Sequence, residues 1–249
     1  RRRVRRLPAH FLMKLQVTHH GVARSEDERT QDAFRVEQHD NRLIAALADG
    51  VGSSRAGGEA AHRAVGMMVD YFHARPQAWS ARRALGEFVQ QINQVLNQES
   101  LQQHGQPELL CTLSVVVIEA GMLYGLNIGD SPVYLWRKGT IRLLSQAHVL
   151  TEPGMEHVLS QAVGLSSERT PWHFEVPLED GDMILVASDG VSNALPAPRL
   201  AELLARRIPA RALIRWGSDT WEEHPEIRDD ATAVVIDLAE IGRLSPGQV

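Results

Sequence analysis

The chain has 249 residues, of which 43% are hydrophobic and 23% are charged, the usual balance of a globular protein with enough length for a sizeable core. Its one cysteine, Cys111, excludes an intramolecular disulfide, and no apolar run approaches the roughly 20 residues that a bilayer span requires. The formal net charge is -5, and five of the 26 basic residues lie in the first six positions. The rest of the chain is therefore more acidic than the net charge indicates, which argues against a general nucleic-acid binder.

The amino terminus carries the arginine cluster, begins with Arg1 rather than Met, and has a short apolar stretch interrupted by Lys14. These features do not fit a secretory signal, so a cytoplasmic protein is expected. We expect residues 1–12 to be a basic extension upstream of a natural start at Met13, residues 13–240 to form a single domain, and residues 241–249 to form a tail.

Short apolar runs separated by tight turns predict β-strands from Leu15 onward. The runs at 33–37 and 43–48 flank a turn at 39–41 and predict a hairpin. The runs at 112–118, 122–127, 133–136 and 141–144 predict a meander. An acidic turn joins a further pair at 173–176 and 183–187, and a last strand is predicted at 231–236.

Two helical blocks interrupt the strands. Apolar residues at helical spacing predict a helix pair whose stripes run through 60–71 and 85–96, and a second block at about 198–216. Hairpin connections favour antiparallel strands. The fold class predicted is therefore α+β, a four-layer α-β-β-α sandwich of two antiparallel sheets flanked by helices.

Aspartates stand at the ends of several of these apolar strands. Asp49 and Asp189 each follow a buried strand and precede a glycine, Asp130 follows a third strand, and Asp229 precedes the last strand. A single Asp-Gly pair is an ordinary turn. Four such carboxylates at one end of a sandwich would repel one another unless a cation neutralised them, and oxygen ligands favour hard ions such as Mg²⁺ or Mn²⁺ over Zn²⁺.

Five stretches together resemble the metal-dependent serine/threonine protein phosphatases of type 2C, in particular the compact bacterial members, and this resemblance implies the same sandwich fold. They span about residues 14–238, and their order and spacing make the set specific although each stretch alone is weak. The stretches are GVARSEDERTQDAF (21–34), ADGVGSSRAGGEAA (48–61), NIGDSPVYL (127–135), VASDGVSN (186–193) and RDDATAVV (228–235).

The resemblance implies a two-metal centre. Asp49 would bridge two Mg²⁺ or Mn²⁺ ions and the carbonyl of Gly50 would ligate one of them, while Asp189 and Asp229 would bind the second ion and Asp32 would act directly or through water. Two ions can activate a shared water for in-line attack on phosphorus, so no covalent phosphoenzyme is needed. Cys111 is then expected to be a small core residue.

The resemblance also implies that Asp130 contributes to a third, weaker metal site and that Arg24 binds the substrate phosphate. Seven residues separate Arg24 from Asp32, more than is usual in the family, so Arg29 competes for the phosphate role. Gln31 stands where an acidic residue often precedes the aspartate, which leaves less negative charge at the metals.

The function expected is hydrolysis of phosphoserine and phosphothreonine in protein substrates, opposite a serine/threonine protein kinase, by a monomer with no nucleic-acid partner and no membrane span. Two alternatives remain open. One is a phosphatase-fold module that binds phosphorylated partners with little or no turnover, and the other is a metal phosphoesterase acting on small phosphoesters.

Overall fold

The computed structural model of the protein describes residues 11–39, 41–52, 55–155, 157–165 and 170–243. Within these ranges the chain forms ten strands and five α-helices. The strands are Phe11–Val22 (β1), Ala33–His39 (β2), Arg42–Ala48 (β3), Leu113–Glu119 (β4), Met122–Ile128 (β5), Val133–Arg137 (β6), Thr140–Leu143 (β7), Trp172–Pro177 (β8), Met183–Ala187 (β9) and Ala231–Arg243 (β10). The helices are Arg55–His73 (α1), Ala81–His104 (α2), Asp189–Ala194 (α3), Ala197–Ala205 (α4) and Ala210–Glu223 (α5).

The strands form two antiparallel sheets, as the sequence predicted, and each sheet has five strands. One sheet has the order β2-β3-β4-β5-β8 and is called here the β2 sheet. The other has the order β1-β10-β9-β6-β7 and is called the β1 sheet. In the predicted hairpin, Ala33 pairs with Ala48 and His39 pairs with Arg42, so the segments that carry Asp32 and Asp49 meet at one end of the β2 sheet.

Two of the predicted strand pairings are wrong. The predicted meander divides after β5, because β4 and β5 belong to the β2 sheet whereas β6 and β7 belong to the β1 sheet. The predicted pair β8 and β9 is also divided, since β8 pairs with β5 and β9 pairs with β6 and β10. Strands buried on both faces read as continuous apolar runs, and such runs do not reveal which sheet a strand joins.

Three apolar clusters lie between the four layers and confirm the α-β-β-α sandwich. The first packs α1 and α2 on the outer face of the β2 sheet, through residues such as Met68 and Leu85. The second lies between the two sheets and includes Leu47 and Val186. The third packs α3, α4 and α5 on the outer face of the β1 sheet, around Leu185.

The helices depart from the predicted blocks in two respects. The block at 198–216 is divided into α4 and α5, each of which is preceded by a proline at its N-cap, Pro196 and Pro209. The short helix α3 was not predicted, because six residues hold too few turns to show a helical period. Among the described residues, each helix is either too short or too polar to span a bilayer.

Two neighbouring strands of the β1 sheet, β1 and β10, reach beyond the predicted domain limits of 13 and 240. Strand β1 begins at Phe11, which pairs with Arg243 of β10, so both strands extend past those limits. Most of the predicted extension (1–10) and of the predicted tail (244–249) lies outside the described residues.

Candidate metal centre

Two aspartates meet at one end of the β2 sheet. Asp32 immediately precedes β2 and is 3% exposed, while Asp49 immediately follows β3 and is half-buried. The backbone of Asp49 is fixed by the neighbouring strand, because its N–H donates to Thr112 Oγ1 (2.9 Å) and its carbonyl accepts from the Thr112 N–H (2.8 Å). The end of the hairpin is therefore held firmly against the segment that precedes β4.

The β1 sheet supplies further carboxylates at the same end of the sandwich. Asp189 begins α3 just after β9, and Asp229 lies just before β10. Because Ala187 pairs with Ala233, the segments that carry these two aspartates are neighbours. Asp130 comes from the turn where the chain passes from β5 in the β2 sheet to β6 in the β1 sheet.

Two neighbouring cavities open at this end of the molecule and share Asp49, Gly50, Gly52 and Asp229. The larger, about 450 Å³, is also lined by Asp130 and Asp189. The smaller, about 250 Å³, is also lined by Arg24, Arg29, Gln31 and Asp230. All the residues predicted to bind metal or phosphate, except Asp32, thus line one or both cavities. Asp32 is buried and lines neither cavity.

Asp49 lies at the centre of the negative charge. Burial raises the pKa of its carboxyl well above the usual value, and the charges of Asp32, Asp189, Asp229 and Asp130 raise it further. Four separate carboxylates therefore act on one carboxyl group, as expected where acidic side chains from distant parts of the chain converge.

Three further carboxyls of the centre, those of Asp32, Asp130 and Asp189, also have a raised pKa. Burial raises the pKa of Asp32 to about 7, although hydrogen bonds from Ser188 and Thr232 oppose the rise. Burial, assisted by the charge of Asp189, raises the pKa of Asp130 to about 6. Burial and the charge of Asp229 also raise the pKa of Asp189. When its carboxyls are ionised, the cluster thus carries more negative charge than the neighbouring groups of the protein neutralise.

The donor atoms of this cluster fit hard divalent ions. Its side chains offer carboxylate oxygens, the ligands preferred by Mg²⁺ and Mn²⁺. Two buried oxygens, Oδ1 of Asp32 and Oδ1 of Asp189, have no hydrogen-bond partner among the described residues. A cation near Asp49 would offset the charge and give such oxygens a partner.

The carboxylates are more widely spaced than in a single tight ligand set. Among the described residues, no three of these aspartates bring their oxygens within 4.8 Å of one another. Mutual repulsion between carboxylates favours such spacing, and ion binding would draw the side chains together.

Gly50 occupies a position that no larger residue fits. A Cβ atom at this position would lie 2.4 Å from the carbonyl carbon of Gly57 and 2.7 Å from the Gly58 nitrogen, both in the backbone of α1. The start of α1 therefore packs directly on the Asp49-Gly50 backbone, which explains the glycine that follows Asp49.

Asp230 is a site residue that the sequence analysis did not assign. Its buried carboxylate accepts a hydrogen bond from the Arg24 backbone N–H (2.8 Å at Oδ1) and another from the Gln31 backbone N–H (2.5 Å at Oδ2). It therefore fixes both ends of the loop 24–31 against β10. The adjacent pair Asp229-Asp230 was visible in the sequence, but only the fold shows that the second aspartate faces this loop.

Both candidate phosphate ligands lie on that loop, at the rim of the smaller cavity. Arg24 is exposed, and its Nε donates to Glu28 Oε2 at 2.7 Å. Arg29 forms no ion pair with any residue in the described ranges. The structure therefore brings both arginines near Asp49 and leaves the choice between them open.

Cys111 is buried next to the centre, where it pairs with Gly50 and Val163 in isolated β-bridges. Burial, with a smaller effect from the Asp49 charge, raises the pKa of its thiol, which keeps it protonated. The prediction that Cys111 is a core residue is confirmed.

Comparison with known proteins identifies relatives of this architecture. Residues 22–216 match the family model described as Protein phosphatase 2C. Serine/threonine phosphatase stp of Listeria welshimeri serovar 6b is 27% identical over 205 residues, which cover 75% of this chain and 81% of the relative. The phosphatase MsPP from Mycobacterium smegmatis, solved in complex with cacodylate, is 26% identical with a TM-score of 0.68 over 90% of this chain and 98% of its own.

A third relative supports the fold alone. The catalytic domain of the serine/threonine protein phosphatase PstP, solved in complex with 2 manganese ions, is 21% identical and has a TM-score of 0.75. The match covers 92% of this chain and 100% of the PstP chain. The two chains therefore share the same sandwich over nearly their full lengths.

Proposed function

Since the chain belongs to the protein phosphatase 2C family, we propose that it is a metal-dependent phosphatase that hydrolyses phosphoserine and phosphothreonine in proteins with two Mg²⁺ or Mn²⁺ ions. The observation that carries the proposal is the convergence of four carboxylates on Asp49 beside a cavity rimmed by two arginines. An acidic centre by itself would repel a phosphate, and divalent ions would convert it into a phosphate site.

Specific residues would hold the ions. We assign Asp49 to both ions, the Gly50 carbonyl to one, and Asp189 and Asp229 to the other, with Asp32 acting on them directly or through water. Asp130 would serve a third, weaker site. When bound, the ions would activate water for attack on phosphorus and offset the charge of the phosphoryl oxygens.

The chain's own groups would complete the site. In the ion pair of Arg24 with Glu28 only Nε is used, so Nη1 and Nη2 can point to two phosphate oxygens in the fork geometry that arginine provides. Asp230 would act as a positioning residue, since it fixes the backbone of the arginine loop. Arg29 is the competing phosphate ligand.

The activity is tested with p-nitrophenyl phosphate and a phosphothreonine peptide, each with Mn²⁺ and with a chelator. We expect both substrates to be hydrolysed with Mn²⁺ and neither with chelator. Turnover of the small ester alone would favour the small-phosphoester alternative, and turnover of neither substrate would favour a binding module.

The assigned ligands are tested by Asp49→Asn and Asp189→Asn. Each variant should lose turnover of both substrates while retaining the circular dichroism spectrum of the parent. Asp219→Asn, an exposed aspartate of α5, serves as the matched control and should keep full activity. Near-normal rates in either of the first two variants would refute the assignment.

A further inference from the structure

A second cluster of metal-ligating side chains lies at the other end of β2. Glu37 and His39 belong to β2, and His73 is the last residue of α1. Asp32 precedes the same strand, so about 20 Å separates the two ends at ~3.3 Å per residue. This group, called here the histidine cluster, is therefore remote from the candidate metal centre.

The ligand atoms of the histidine cluster converge on one point. Nε2 of His73 lies 2.6 Å from Oε2 of Glu37, and Nε2 of His39 lies 3.8 Å from the same oxygen. One ligand atom from each residue lies within 4.8 Å of the other two, and in the described ranges this is the one group of three metal-ligating side chains that does so. The two imidazole rings meet edge to face, with centroids 5.5 Å apart.

Arg35 fixes the carboxylate that the histidines share. Its Nε donates to Oε1 of Glu37 at 2.9 Å, which leaves Oε2 directed at the two imidazoles. Burial acts to raise the pKa of Glu37, but the hydrogen bonds from Arg35 and His73 outweigh it and lower the pKa below its usual value. Arg35 also pairs with Asp70 at 2.7 Å, which offsets part of its positive charge.

The histidine cluster is accessible to a dissolved ion. It lines a cavity of about 780 Å³, and the side chains of His39 and His73 are 72% and 40% exposed. Two further arginines line the same cavity, Arg42 and Arg75, and both pair with Glu119. These two arginines are therefore compensated by a carboxylate other than Glu37, whereas Arg35 is shared between Glu37 and Asp70.

The donor set differs in kind from that of the candidate metal centre. Two imidazole nitrogens and one carboxylate oxygen, with room for water, are typical ligands of Zn²⁺ and related transition-metal ions. Mg²⁺ and Ca²⁺ prefer all-oxygen sites. The same chain thus offers an oxygen site at one end of β2 and a nitrogen-rich site at the other.

We propose that Glu37, His39 and His73 form a second metal site that binds Zn²⁺ or a similar transition-metal ion and joins the edge strand β2 to the carboxyl end of α1. The site is independent of the phosphatase activity, since none of its residues lines the cavities at Asp49. Ion binding would add a link between two elements that already contact each other through the ion pairs His73–Glu37 and Arg35–Asp70. The link would stabilise the folded chain, because the unfolded chain does not hold these three ligands together.

The test is a calorimetric titration of the full chain with ZnCl₂ at pH 8, because zinc binds neutral imidazole. Millimolar Mg²⁺ is present throughout to compete at the carboxylates. Three proteins are compared: the parent, the double variant His39→Ala/His73→Ala, and a control, His62→Ala/His104→Ala, which removes two histidines of the neighbouring helices. The parent and the control should bind one more zinc ion than the double variant, and His39→Ala alone should weaken that site at least about tenfold.

Thermal unfolding of the same proteins gives an independent readout. Zinc should raise the melting temperature of the parent and the control more than that of the double variant. Equal zinc stoichiometry, affinity and melting shift in all three proteins would overturn the proposal, and the histidine cluster would then be an ordinary ion pair. The measurement does not depend on phosphatase activity.

Discussion

The hydroxyl of Ser188 donates a hydrogen bond of 2.8 Å to Oδ2 of Asp32, across the boundary between the two sheets. Ser188 follows β9 of the β1 sheet, and Asp32 precedes β2 of the β2 sheet. The same hydroxyl accepts the backbone N–H of Thr232 in β10 at 2.9 Å. One buried side chain therefore joins three strands directly beneath the candidate metal centre.

Ser188→Ala should destabilise the fold and weaken metal binding. The substitution removes a donor from a buried carboxylate and an acceptor from a buried N–H, and each such loss typically costs about 1–3 kcal/mol. Urea unfolding of the metal-free protein should show a loss of at least the size of one such bond, and Mn²⁺ titration should show weaker binding. Ser218→Ala, whose hydroxyl bonds only to a backbone carbonyl within α5, is the control and should change neither quantity. Equal stability of the two variants would contradict this account of Ser188.

Asp230→Asn should impair substrate binding more than the chemical step. The carboxylate accepts two backbone N–H groups, at Arg24 and Gln31, and an amide would present a donor to one of them. The loop that carries both arginines should then loosen, so we expect a KM for the phosphopeptide several-fold higher and a smaller change in kcat. Steady-state kinetics of Asp230→Asn and of the exposed control Asp219→Asn, compared with the parent, test this change in KM and kcat. An unchanged KM would show that Asp230 does not position the loop.

The sequence was sufficient to locate the predicted ligands at strand ends. Asp49 follows a continuous apolar run and a hairpin turn fixes its partner strand, so local signals determined both the element and its register. The role of Asp230 was not accessible in this way. Its contacts with Arg24 and Gln31 span about two hundred residues of chain, and only the packing of β10 beside β1 brings them together.

The strand order could not be predicted for a related reason. A tight turn at Asp130 is compatible with a hairpin, yet here it carries the chain from one sheet to the other. All of β9 and the last four residues of β5 are buried, so these segments lack the alternation that would indicate which face meets the second sheet. The histidine cluster was missed as well, since Glu37 and His73 come from separate elements whose contact the sequence does not show.

The metal-free protein should lose stability as pH rises from about 4 to about 7. The folded state raises the pKa of Asp130 to about 6 and of Asp32 to about 7, whereas an unfolded aspartate titrates near 3.9. Within this window the folded state binds more protons than the unfolded state, so the free energy of unfolding falls with increasing pH. Urea unfolding with chelator, measured at several pH values, tests the slope.

Two variants assign that slope to particular carboxyls. Asp130→Asn should reduce the dependence of stability on pH between about pH 4 and pH 6, and Asp32→Asn should reduce it up to about pH 7. Saturating Mg²⁺ should raise stability most at the upper end of the range, where the carboxylates are ionised and repel one another. A slope that is the same in the parent and in both variants would show that other groups cause it.

Glu28→Gln should lower the KM for phosphorylated substrates if Arg24 is the phosphate ligand. Glu28 accepts from Nε of Arg24 at 2.7 Å and leaves Nη1 and Nη2 open, but its negative charge offsets part of the guanidinium charge that would attract a phosphate. Removing its charge should free the arginine, whereas Arg24→Ala should raise KM about tenfold or more, the range expected for charge-assisted hydrogen bonds of about 1.5–3 kcal/mol. In the Arg24→Ala background, Glu28→Gln should have no further effect, since coupling between the two positions requires both partners. If Arg29→Ala raises KM while Arg24→Ala and Glu28→Gln leave it unchanged, the phosphate role belongs to Arg29.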